Sequence, residues 1–328
     1  LADFSEYNDI FLLHNSSGKL NGVKESIFME NIKDYSGRWR WNMVNDFRPQ
    51  SIEYSGIKCY PTANYVNYYG MQNGYPINDM TKADAESGYD PTHPWKNRDP
   101  RFYKTIMFDG VKWKSTGGAG GTAELFTGGR ESEEANEKKG CFTAYMNSKL
   151  CPQLMNTVDG YKENNIMILS LMRLADVYLM YAEATAVGYN GPKGKAATYS
   201  LTAEEALNKI RERAGVAPVL DKFLGSTADF LSELRRERAV ELSFEGFRFI
   251  DLRRWMLLTQ YPYTLKTKIE FDRADPSDYN YDEPEENAIK NLREVVLLER
   301  KYTDRHYWYP LPKKDVSMYE GFYQNPGW

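Results

Sequence analysis

The sequence predicts a mainly α fold: packed helical hairpins that carry long irregular segments and small β elements. Three observations lead there. Apolar residues recur at helical spacing between positions 165 and 258. Capping residues stand where that pattern starts and stops. On either side of it, turn residues, prolines and acidic clusters break every sustained period.

Taken in order, residues 1–30 read as a polar opening followed by a short apolar segment at Ser26-Ile-Phe-Met29. Residues 31–95 are aromatic and irregular. A strand is expected from Tyr103 to Phe108, then a turn at Asp109-Gly110. Residues 115–140 hold Gly117-Gly-Ala-Gly-Gly121, Gly128-Gly129 and an acidic run, the composition of a flexible surface loop. The stretch 172–187 is apolar nearly all round, so both its sides need cover. Ala175, Ala182 and Ala186 make one side small enough for close helix contact.

The stretch 203–214 is amphipathic, with Ala203, Ala206, Leu207, Ile210 and Ala214 on one face. Thr202 and Glu205 have capping-box spacing, and Gly215 with Pro218 beyond it marks the end. These two stretches form a helical hairpin. Phe230, Leu231, Leu234 and Leu242 mark a further helix. Residues 260–305 are a polar, acidic excursion with one strand or helix near Leu292 to Leu298. Pro310, Pro312 and Pro326 keep the chain end from being a long helix, so it is expected to run extended across the helical body.

Bulk properties narrow the class. The chain has 328 residues, 41% apolar and 27% charged, as expected of a globular protein with one large or two ordinary domains. A net charge of −4 argues against nucleic acid, which calls for a basic patch. The sequence has no apolar run of about 18 residues, so no membrane span is expected. Cys59, Cys141 and Cys151 are too few and too scattered for a disulfide framework or a metal motif, and Cys141 and Cys151 pair only if the intervening loop folds back. The 25 tyrosines and 7 tryptophans suit either rings that stack on sugar faces or an aromatic core.

Residues 235–255 make the strongest demand. Arg238, Glu241 and Glu245 fall in the middle of an apolar helix face, where charge survives only if paired. Arg248, Asp251, Arg253 and Arg254 stand close by in sequence. The reading is a structural ion-pair lattice of Arg238, Glu241, Glu245, Arg248, Asp251 and Arg253. It would tie the helix to the segment after Gly246.

The catalytic ingredients are thin. Gly118-Ala-Gly-Gly-Thr-Ala123 lacks the flanking strand and helix of a dinucleotide site. His14, His93 and His306 have no metal or triad spacing. Acidic pairs for glycoside cleavage are too common to inform, and arginine-paired Glu241 and Glu245 suit structure better than a general acid. Arg38-Trp-Arg-Trp-Asn42 alternates ring and polar groups, so an extended strand would put Trp39 and Trp41 on one side. The candidate ligand-binding residues are Arg38, Trp39, Trp41, Asn45, Arg48, Tyr60 and Tyr65, with Tyr68 and Tyr69 downstream. The alternative puts these rings in the core. No cofactor or metal is expected. An acidic cluster at Asp272, Asp275, Asp278, Asp282 and Glu283 lacks EF-hand order.

Five segments in order resemble the SusD/RagB family of outer-membrane nutrient-binding lipoproteins. They are Asn97-Arg-Asp-Pro-Arg-Phe102, Arg173-Leu-Ala-Asp-Val-Tyr-Leu-Met-Tyr-Ala-Glu-Ala184, Ala206 to Gly215, residues 235–255, and the end from Tyr309-Pro-Leu-Pro-Lys313 to Gln324-Asn-Pro-Gly-Trp328. The resemblance implies tetratricopeptide-type helical hairpins and one SusD-like domain of which 1–328 is the C-terminal portion. Residues 1–164 would be its irregular, ligand-facing segment, 165–258 its helical core and 259–328 a C-terminal excursion and extended tail. It further implies non-catalytic capture of an oligosaccharide or polysaccharide at the extracellular face of the outer membrane. The anchor would be an acylated N-terminal Cys not present in this chain, and the captured glycan would pass to a SusC-like TonB-dependent transporter. A surface glycoside hydrolase and a SusD-like binder of peptides are the alternatives.

Overall fold

The computed structural model describes residues 1–14, 24–29, 60–115, 121–132, 140–150, 165–167 and 170–328. Among these, the strands in chain order are β1 (Leu12–His14), β2 (Ser26–Met29), β3 (Ile106–Met107), β4 (Met146–Asn147), β5 (Asn165–Met167), β6 (Ser170–Arg173), β7 (Leu265–Arg273) and β8 (Ile289–Glu299). They pair antiparallel in twos: β1 with β5, β2 with β6, β3 with β4, and β7 with β8. The α-helices are α1 (Ala63–Val66), α2 (Pro100–Thr105), α3 (Leu174–Gly188), α4 (Ala203–Ala214), α5 (Thr227–Glu241), α6 (Phe247–Arg254) and α7 (Lys313–Val316). The fold is mainly helical with small two-stranded sheets.

Local chemistry explains the best-defined helix. In α4 the Thr202 hydroxyl accepts from the Glu205 N–H at 3.2 Å, and the Glu205 carboxylate accepts from the Thr202 N–H at 2.7 Å. Gly215 closes the helix at φ 72°, a left-handed conformation that costs glycine little. α3 packs against α4 and α5 through Ala182, Ala186, Ala203, Ala206, Leu207, Phe230 and Leu234, so small residues do meet at the helix contact.

The larger apolar core lies outside these helices. Trp95, Trp113, Tyr69, Phe102, Phe108 and Tyr145 are buried there with the hairpin residues Ile269, Phe271 and Ile289. Trp95 stacks on Phe108 at 5.0 Å, and Phe108 on Phe102 at 5.2 Å. Much of the aromatic surplus is therefore core. Another part is surface: Tyr309, Tyr319 and Tyr323 are exposed.

Four local expectations need correction. The first half of the expected strand at Tyr103 to Phe108 is the end of helix α2, because Asp99 caps the Arg101 N–H at 2.9 Å and Pro100 occupies the first turn; only Ile106 and Met107 are strand. Of the expected surface loop at 115–140, the described stretch 121–132 puts Ala123 and Leu125 in the core. The polar excursion has the expected element near Leu292 to Leu298 as strand β8, but it also has an unforeseen partner, β7, whose residues Thr267, Ile269, Phe271 and Arg273 alternate inward. The chain end closes on itself instead of crossing the helices. Trp328 Nε1 donates to the Arg305 carbonyl at 2.9 Å, and the Gln324 amide bonds both backbone groups of Leu311. It meets the helical body at α6, where Arg253 donates to the Tyr307 carbonyl.

Candidate functional site

Two constructions meet on α5. The first is a buried ion lattice. Helical spacing puts Glu233, Glu237 and Glu241 on one stripe of α5 and buries all three. Arg211 of α4 donates to Glu237 at 3.0 Å and also to Glu233. Arg101 of α2 joins Asp99 at 2.7 Å, Glu237 at 2.5 Å and Glu241 at 3.0 Å. Arg173, at the end of β6, joins Glu25 at 2.6 Å, Glu241 at 2.7 Å and Glu245 at 2.8 Å. Arg213 adds a bond to Glu241 at 2.5 Å, and Lys149 one to Glu245 at 2.6 Å.

Burial alone would raise the Glu241 carboxyl. Arg213, Arg173, Arg101 and Lys149 outweigh it and hold the group well below the usual carboxylate range. Glu245 is lowered in the same way, with Arg173 and Lys149 overcoming its burial. Burial carries Lys149 down to about 8, although Glu245 and Glu241 pull the other way.

Of the residues nominated for this lattice, Glu241 and Glu245 sit in it as described. Arg238 bridges Asp176 at 2.5 Å and Asp251 at 2.7 Å, tying α3, α5 and α6. Arg248 and Arg253 do not belong to it. Among the described residues neither has a carboxylate partner: Arg248 lies over the rings of Tyr68 at 4.8 Å and Tyr263 at 5.5 Å, and Arg253 over Tyr309 at 4.1 Å. Both are half-buried, and for each an aromatic face replaces a carboxylate. The partners the sequence did not nominate, Arg101, Arg173, Arg211, Arg213, Lys149 and Glu25, are far away along the chain. The available signal was their place in apolar or capped segments, as with Arg211 and Arg213 inside the α4 pattern.

The second construction is a cleft of about 730 Å³. One wall is the segment from Asn64 to Thr81. A second is the outer side of α5, with Ser232, Arg235 and Arg236. The rest comes from Arg248 of α6, the Tyr261–Tyr263 turn, the start of β7, and Glu294 and Val296 of β8. Backbone contacts fix the walls. The Asn64 amide donates to the Leu265 carbonyl at 2.9 Å, pinning α1 to β7. Arg236 donates to the carbonyls of Tyr68 at 3.0 Å and Gly74 at 3.2 Å, holding that turn on α5. Gly70 permits this approach, since a Cβ there would lie 2.3 Å from the Tyr75 carbonyl oxygen.

The lining combines rings (Tyr68, Tyr261, Tyr263, Phe223) with amide and guanidinium groups (Asn64, Asn67, Asn78, Arg235, Arg248). Tyr261 is 77% exposed. Asn67 Oδ1 and Arg235 Nε are buried without a hydrogen-bond partner among the described residues. Glu233, which also lines the cleft, is held at about 2: burial opposes this, but Arg236 and Arg211 prevail.

Arg38, Trp39, Trp41, Asn45 and Arg48 lie outside the described residues. Tyr60 packs on the core with its ring 6.0 Å from Phe142, and burial pushes its hydroxyl up to about 12. The Tyr65 hydroxyl donates to the Ala239 carbonyl at 2.6 Å. Neither reaches the cleft. Tyr68 does, while Tyr69 is buried and donates to the Ser243 hydroxyl at 2.7 Å. Cys141 is a buried free thiol, pushed up to about 11 by burial. Among the described residues no cluster of acidic, Cys or His side chains could hold a metal ion, the 272–286 region included. No described helix is long and apolar enough to cross a membrane.

Fold and site together define a mainly helical scaffold protein, knit by buried ion pairs and bearing an open, tyrosine-lined polar cleft. The chain belongs to the SusD family, whose family model matches residues 24–328. In fold it is similar to a SusD-like protein from Bacteroides fragilis NCTC 9343, with a TM-score of 0.72 and 22% identity over 100% of this chain and 58% of that one. It is also similar to a SusD-like carbohydrate-binding protein from the same organism, with a TM-score of 0.54 and 21% identity over 78% of this chain and 47% of that one. The chain thus matches about half the length of these solved relatives. No curated protein sequence matches it.

Proposed function

We propose that this protein binds an oligosaccharide at the cell surface without cleaving it and passes it to a SusC-like TonB-dependent transporter. The observation that carries the reading is the cleft, where tyrosine rings stand beside amide and guanidinium groups. Sugars offer apolar C–H faces to rings and hydroxyl rims to hydrogen-bond donors and acceptors. Non-catalytic binding is supported by the state of the lining carboxylate Glu233, since a general acid needs a raised pKa and this one is lowered. Family membership supports transfer to a transporter and attachment to the outer membrane through an acylated Cys.

Two finer readings belong to this proposal. The α3–α4 pair is one tetratricopeptide-type unit of a longer helical stack. The segment carrying Arg38, Trp39, Trp41, Asn45 and Arg48, which leads into Tyr60 and Tyr65, is a ligand-contacting surface in its own right.

Calorimetry with a panel of oligosaccharides tests the proposal. Binding should weaken when Tyr263 and Tyr261 are both changed to Ala. Loss in a Trp39→Ala/Trp41→Ala variant would implicate the upstream segment as well. Release of new reducing ends during incubation with polysaccharide would replace binding by hydrolysis, and uptake of peptides alone would replace the ligand class.

A further inference from the structure

Three arginines and three carboxylates line the cleft, but two of the arginines have no carboxylate partner among the described residues. Among its carboxylates, Glu233 is taken up by Arg211 and Arg236, and Asp79 lies 3.2 Å from Lys82. Glu294 accepts the Thr267 hydroxyl at 2.6 Å. On the other side of the ledger, Arg235 and Arg248 line the cleft with no carboxylate partner among the described residues. Each is held by aromatic rings instead: Arg248 over Tyr68 and Tyr263, and Arg235 over Trp255 at 5.4 Å. Ring contacts orient each guanidinium, and Arg248 spends one N–H on the Tyr68 hydroxyl while the rest of its fork has no carboxylate among the described residues. The Arg235 Nε is buried with no acceptor among the described residues.

A third cation adds to this corner. Lys266 stands between the lining residues Leu265 and Thr267. Burial first, and then the charges of Arg300 and Arg248, together lower it to about 8. A guanidinium without a carboxylate and a buried donor without an acceptor ask for the same thing, an anion from outside the chain.

Building on the glycan reading above, we infer that the ligand is an acidic oligosaccharide whose carboxylate or sulfate group is seated by Arg248 and Arg235, with a sugar ring on Tyr263 or Tyr261. Arginine offers a planar fork that matches either oxyanion with two parallel hydrogen bonds.

Calorimetry on the chain with four probes of equal length tests this: an oligogalacturonate, a sulfated galactan oligosaccharide, and an uncharged gluco- and an uncharged galacto-oligosaccharide. An acidic probe should bind at least about tenfold more tightly than the uncharged ones, and its affinity should fall as sodium chloride is raised. Which acidic probe wins separates uronate from sulfate. Arg248→Gln should weaken acidic binding roughly ten- to a hundredfold, with Arg248→Lys recovering part of it, while weakening any binding of uncharged probes by much less. Arg235→Gln serves as the independent variant if Arg248→Gln does not fold. Uncharged probes binding as tightly as acidic ones, or folded Arg248→Gln and Arg235→Gln variants that keep full acidic affinity, would overturn the inference and leave the glycan reading standing. Failure of every oligosaccharide, charged or not, would bring down both.

Discussion

Arg173 and Glu241, 68 residues apart in sequence, are joined twice: Nη1 meets the carboxylate at 2.7 Å, and Nη2 donates to the Glu241 backbone carbonyl at 2.7 Å. One guanidinium thereby binds the end of β6 to both the side chain and the terminal turn of α5. Arg101 and Arg213 reach the same carboxylate from α2 and α4.

Removing that carboxylate leaves three arginines short of a partner in a dry interior. Glu241→Gln should destabilise the fold by about 3–5 kcal/mol, the usual result of breaking one side of a buried pair. Urea unfolding measures it. A loss under about 1 kcal/mol would mean that the lattice is not a stabilising unit.

Acid should loosen the lattice. The folded Glu233 carboxyl lies at about 2, against an ordinary value of 4.5. A carboxyl depressed in the folded state contributes stability that is fully present above the unfolded value and lost as pH falls through the folded one. Stability should therefore fall between roughly pH 4.5 and 2, and Glu241 and Glu245, lowered in the same direction, add to the slope. Chemical denaturation at successive acid pH values reads it, and Glu233→Gln should flatten the curve.

Gly70 is expected to resist even the smallest side chain. Its Cβ would come within 2.9 Å of Arg236 Nη1 as well as against the Tyr75 carbonyl oxygen, and the backbone there cannot give way cheaply. Gly70→Ala should cost about 1–3 kcal/mol by overpacking and displace the turn that walls the cleft. Thermal melting and ligand affinity should both fall. An unchanged melting temperature would show that the turn is not held as tightly as its contacts imply.

Cys141 should be inert in the native protein. Its thiol is buried, raised to about 11, and donates to the Tyr145 carbonyl at 3.1 Å. Native-state alkylation followed by peptide mapping should leave it unlabelled, whereas denaturant exposes it. Labelling at the same rate in both states would contradict its burial.

A Tyr263→Ala variant should separate binding from folding. The ring is half-buried at the cleft, where it carries Arg248. Stability should change by about 1 kcal/mol or less, the value of a partly exposed cation–π contact, while glycan affinity falls several-fold. Equal affinity in mutant and parent would move the platform elsewhere.

The sequence by itself determined what was local. Helix α4 was legible to the residue because its cap, its apolar face and its left-handed Gly215 are all set within one short segment. The demand for paired charge around Glu241 was legible too, since periodicity alone puts a carboxylate on an apolar stripe. Helix α2 and strand β7 had signals of the same local kind, Asp99-Pro100 at a helix start and the period-two burial of Thr267 to Arg273, which the prolines and acidic residues around them obscured. Only the tertiary structure decided who answers the charge. Lys149 and Glu245 lie 96 residues apart, Arg101 and Glu241 140, and a helical wheel can nominate only neighbours. Arg248 and Arg253, the neighbours it nominated, turned to aromatic rings instead. The cleft belongs to the tertiary structure for the same reason: its walls come from α1, α5, α6 and the β7–β8 hairpin, and no one segment contains the binding pattern because none contains the cavity.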